Sequence, residues 1–66
     1  MPRKIRQLEA DLAHAGFVRH PGKGSHRHWT HPQVKLPVTV AGQPGDDAQP
    51  YQEKAVRQAI RESQHP

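Results

Sequence analysis

Ile5, Leu8, Leu12 and Ala15 recur at spacings of three, four and three, with Arg3, Lys4, Arg6, Glu9 and Asp11 in the positions between. This is the apolar stripe of an amphipathic helix, predicted over residues 2–15. Pro2 suits the first helical position, where a missing N–H costs nothing, and Gly16 suits a left-handed C-terminal cap. Beyond Gly16 the period shortens to two. Residues 17–20 read as a short strand, and Pro21-Gly22-Lys23-Gly24 reads as a turn. Residues 25–31 form a second predicted strand, stopped by Pro32. Residues 34–40 form a third, rich in β-branched side chains, with Val34, Leu36, Val38 and Val40 on one face. Pro37 falls on the other face and cannot donate to a ladder, which marks an edge position.

Residues 42–49 are polar and contain glycine and proline, so they read as a loop leading to a second helix over residues 50–63. Pro50 again fits the first helical position, and Gln52 and Glu53 favour the positive end of the helix dipole. Tyr51, Ala55, Val56, Ala59 and Ile60 make the expected apolar face, and Gln64-His65-Pro66 a short tail. Strands joined by tight turns pair as an antiparallel meander, and two one-sided helices cover one face of it. The predicted architecture is an α+β single domain over residues 1–66, helix–three strands–helix, with the second face of the sheet open.

Composition narrows what such a domain can do. Of 66 residues, 21 are apolar and seven of those are alanine, which leaves little material for a core and none for a deep cofactor cavity. Cysteine is absent, which excludes disulfides and thiolate metal sites. No apolar run approaches the length of a membrane span or a signal peptide, so a soluble, cytoplasmic protein is expected. Ten Lys and Arg against six Asp and Glu leave a formal charge of +4, and six histidines add to it at lower pH. So small a basic surface favours a polyanionic partner such as nucleic acid.

The chemistry concentrates between residues 19 and 31, where four of the six histidines lie beside Arg19, Lys23 and Arg27. Glycines on both sides of Lys23 let the backbone turn and aim N–H groups at an anion, the geometry of a phosphate nest. Strand alternation sets Trp29 against the helices, which points His26 and His28 outward and His31 the opposite way. His26-x-His28-x-x-His31 has the look of metal-ligand spacing, but on a strand the three side chains do not converge. No metal or other cofactor is expected. His14 near a helix C-terminus is accounted for by the dipole, and His20 and His65 read as plain surface residues.

Gly16-Phe17, Gly24-Ser25-His26, Trp29 and His31-Pro32 together resemble the signature of HicA-type mRNA interferase toxins. The likeness extends to Asp47-Ala48-Gln49-Pro50-Tyr51-Gln52-Glu53 and covers about residues 4–62. It implies a fold like the double-stranded-RNA-binding domain, which agrees with the order read from periodicity. It further implies a type II toxin that cleaves mRNA, a HicB-type antitoxin as partner, and a catalytic histidine at the position of His26. Many members carry another histidine near a Pro-x-His step, and Pro37-Val38-Thr39 has none.

In the mechanism this suggests, His26 is the general base for attack by the RNA's own 2′-hydroxyl and His28 the nearest same-face general acid. Lys23 and the amides around Gly24 and Ser25 would stabilise the phosphorane, with the Ser25 hydroxyl also free to satisfy local backbone. Arg19, Arg27 and Lys35 would neutralise flanking phosphates of a single-stranded RNA. The rival reading is a non-catalytic RNA-binding module. Duplex binders of this fold place a lysine-rich run at the start of the second helix, where this chain has Gln49-Pro50-Tyr51-Gln52-Glu53.

Overall fold

The computed structural model describes residues 2–64. The elements are α1 (Ile5–His14), β1 (Val18–Pro21), β2 (Arg27–His31), β3 (Val34–Val40) and α2 (Pro50–Gln64). The three strands form an antiparallel sheet with β2 in the middle, and both helices pack on one of its faces. The expected α-β-β-β-α fold is the observed one. His65 and Pro66, read as a tail, lie outside the described residues, and Gln64 closes α2.

The first helix starts three residues later than its apolar spacing implies. Ile5, not Pro2, takes the first helical position, and the Gln7 side-chain carbonyl accepts the N–H of the capping residue Lys4 at 2.8 Å. The cause is tertiary. Ile5 N–H donates to the Asp46 carbonyl (2.9 Å) and Ala48 N–H to the Arg3 carbonyl (2.7 Å), so Lys4 is held extended against the loop before α2. The other end follows the sequence. Gly16 takes φ 94°, its N–H bonds the Ala13 carbonyl, and Phe17 N–H reaches back to Leu12, a Schellman closure that only an unhindered residue enters easily.

Ile5, Leu8 and Leu12 of α1 meet Phe17, Trp29, Val38 and Val40, with Ala48, Val56 and Ala59 closing the core from the side of α2. Three residues expected on its apolar faces, Leu36, Tyr51 and Ala55, are exposed instead. Leu36 is 77% exposed because β3 bulges between its pairings Trp29↔Val38 and His31↔Val34, which breaks the alternation at Lys35-Leu36-Pro37. Tyr51 is 69% exposed, and the buried stripe of α2 runs through Gln52, Val56 and Ala59 instead. Gln52 is a polar residue the core can hold because both ends of its amide are paired. Its nitrogen donates to the Ala41 carbonyl (2.9 Å) and its oxygen accepts from Gln49 N–H (3.0 Å).

Leu12 has no exposed surface, and its replacement by alanine should cost about 2–5 kcal/mol, a large share of what so small a domain has. Leu36→Ser should change stability by less than about 0.5 kcal/mol. Urea unfolding of the two variants beside the wild type checks both.

Candidate active site

The β1–β2 connection is longer than a strand over residues 25–31 allows. Arg27, not Ser25, opens β2, and Lys23-Gly24-Ser25-His26 form the turn, closed by His26 N–H on the Lys23 carbonyl (3.0 Å). One step further out, Gly22 N–H donates to the His26 carbonyl (3.0 Å). Gly24 takes φ 58°, and Gly22 is required for a different reason. A Cβ there would come within 2.8 Å of the His26 carbonyl oxygen and 3.2 Å of His28 Nε2. The absent side chain of Gly22 therefore makes the space into which His28 folds. His26 is exposed on the turn, and among the described residues the N–H groups of Lys23, Gly24 and Ser25 donate to nothing.

Strand alternation holds through β2. Trp29 is buried beneath the helices, while His28 and Thr30 are exposed on the open face. The register sets His20 directly opposite His28 and Val18 opposite Thr30. Each of the two histidines is fixed at one ring nitrogen by a threonine. His20 Nε2 lies 2.8 Å from Thr30 Oγ1, and His28 Nδ1 lies 3.1 Å from Thr39 Oγ1. Thr39 stands at the Pro-x-His step, so here that position orients a histidine of the neighbouring strand. His20, first read as a plain surface residue, belongs to this face. The Gly22–His26 closure sets residue 20 opposite residue 28, and a turn read over residues 21–24 does not give that register.

The cations expected to grip phosphate do not share one surface. Lys23 is in the turn and exposed. Arg19 pairs with Trp29, on the side of the sheet that carries the helices, though it is itself exposed at the β1 edge. Lys35 is exposed at the far end of the sheet, in the bulge of β3. Arg27 differs most from its expected role. Its three nitrogens donate to Glu9 Oε2 (2.6 Å), the Ser25 carbonyl (2.6 Å) and the Gly42 carbonyl (2.9 Å), and its side chain is only 11% exposed. With every nitrogen committed, Arg27 is a structural clip. His31 is likewise structural: its ring packs on Phe17 at 4.9 Å between centroids, and its Nδ1 accepts the Gln33 N–H. Among the described residues no three His, Asp or Glu side chains come together as a metal site would need.

A small α-β-β-β-α domain of the double-stranded-RNA-binding type, with histidines on its open sheet face, is the class of protein that fold and site define. A model of the HicA toxin of bacterial toxin–antitoxin systems matches residues 5–63, and the chain belongs to that family. As a toxin of such a system it is paired with an antitoxin. No curated protein and no solved structure matches the chain. Among the described residues no helix is long and apolar enough to cross a membrane.

Arg27→Gln leaves Glu9 and two carbonyls without their donor and should cost about 2–4 kcal/mol in denaturant unfolding. Arg19→Gln, at an exposed edge, should cost less than about 0.5 kcal/mol. Equal losses from the two variants would contradict the division of labour between these arginines.

Proposed function

We propose that this HicA-family toxin is an endoribonuclease that cleaves single-stranded mRNA without a metal ion, using His26 as general base. The observation that carries the reading is the turn itself. An exposed imidazole follows three consecutive unpaired N–H groups, with a lysine in the same four residues. Successive free amides in a turn make a cradle for a phosphate, and an imidazole beside it is placed to move a proton near neutral pH. His26 takes the proton of the 2′-hydroxyl, the freed oxygen attacks phosphorus, and the phosphorus–O5′ bond breaks. His28, held through Nδ1 by Thr39, donates a proton to the departing O5′. The products are a 2′,3′-cyclic phosphate and a 5′-hydroxyl end. Lys23 and the turn amides of Gly24 and Ser25 stabilise the charge that builds on the phosphorane. The antitoxin in this reading is HicB-type and covers the open sheet face.

Purified chain should cleave a single-stranded RNA in the presence of EDTA, and His26→Ala should lower the rate by about 10²–10⁴. A strand with deoxyribose at the scissile position should stay intact there. Cleavage at that deoxy site would exclude attack by the 2′-hydroxyl, and loss of activity in EDTA would replace the mechanism with a metal-assisted one. RNA bound but left whole by the wild type would make the domain a binding module.

A further inference from the structure

On the side of the sheet away from His28, a shallow groove runs between α1 and the β1 edge. Arg6, Arg19 and Arg27 line it, together with Glu9 and Trp29. Glu9 is neutralised by Arg27, whereas Arg6 and Arg19 are exposed and pair with no acidic side chain among the described residues. The groove therefore keeps two free guanidinium groups. Trp29 lines the same groove. The residue is 6% exposed, and its indole Nε1, the one buried side-chain polar atom among the described residues without a hydrogen-bond partner, lies beneath the surface where no phosphate oxygen reaches it.

The groove lies beside the strand that leads into the turn. All four residues of β1 are exposed, and β1 is an edge strand, so only its width separates Arg19 from the face bearing His20 and His28. Lys23 stands at the end of the same strand. We propose that Arg6 and Arg19 form a second phosphate-binding groove, lined also by Trp29, which takes the nucleic-acid backbone where it passes over the β1 edge from the His26 turn. This rests on the RNA reading above and extends it. The strand is gripped on both sides of the sheet, and the contacts are to phosphate, so they carry no base preference.

The test uses binding without cleavage. A fluorescein-labelled, all-deoxy oligonucleotide of about twelve nucleotides, within the span of small single-strand-binding folds, is titrated by anisotropy at several salt concentrations. The emission of Trp29, the only tryptophan, is followed in parallel with the unlabelled strand. Arg6→Gln and Arg19→Gln should each weaken binding about three- to tenfold and lower the salt slope by about 0.7. Lys54→Gln, which removes an equal charge from the exposed surface of α2, should leave both near wild type. Trp29 emission should change on binding, and the change should vanish in the double variant at the same strand concentration. Unaltered affinity and slope in the double variant, or unaltered emission at saturation of the wild type, overturns the groove and leaves the RNA reading standing. A wild type that binds no oligonucleotide overturns both.

Discussion

Arg27 opens the central strand, and from that position its guanidinium reaches three separate parts of the chain. Glu9 belongs to α1, the Ser25 carbonyl to the β1–β2 turn, and the Gly42 carbonyl to the segment after β3. A cation so nearly enclosed is tolerable only with its partners in place, because solvation it has given up must be replaced bond for bond. That requirement couples the turn to the helix layer. The His26 turn has few apolar contacts of its own, and its residues are exposed or half-buried. What holds its orientation is a bond from the residue after His26 to the carbonyl of the residue before it, anchored in turn on α1. The geometry around His26 therefore depends on a residue whose charge looks functional in the sequence and is structural in the fold.

The same strand separates support from chemistry by a single residue step. Arg27, Trp29 and His31 face the helices, and His28 and Thr30 face away. Because the bulge falls in β3, opposite the residues after Trp29, it leaves the register of His20, His28 and Thr39 undisturbed. A slip of one residue at Arg27 would bury the histidines and expose the tryptophan. Gly22 completes the arrangement: the room for the His28 ring comes from a missing side chain just past the end of β1, not from a pocket in the core.

Much of this was legible in the sequence. The stripe Ile5-Leu8-Leu12, the glycine after α1, and the alternation around Trp29 are local patterns, and local patterns survive folding when burial agrees with them. Position 2 lost the start of the helix to a long-range pairing of residues 3–5 with residues 46–48, which no local window contains. Leu36 left the core through a bulge that cannot be seen without the partner strand. Gln52 entered it because Ala41 supplies an acceptor from across the fold. The site shows the same division. The turn and its glycines stand out as residues, whereas the roles of Arg27 and His20 depend on what lies opposite them.

The charge of +4 also acquires a direction once the pairs are known. Arg3, Lys4 and Arg27 are matched by Asp11, Asp47 and Glu9, so these six residues contribute no net field. On α2, Lys54, Arg57 and Arg61 are interspersed with Glu53 and Glu62. Arg6, Arg19, Lys23 and Lys35 remain, with Lys35 apart in the bulge of β3, and no unpaired carboxylate is interleaved with them in sequence. Lys23 lies in the turn and Arg19 on the strand leading into it, with Arg6 across the groove. Their field is therefore strongest along the β1 edge, next to the exposed imidazoles. A polyanion drawn to the domain is steered toward the end of the sheet that carries His26, and away from the mixed surface of α2.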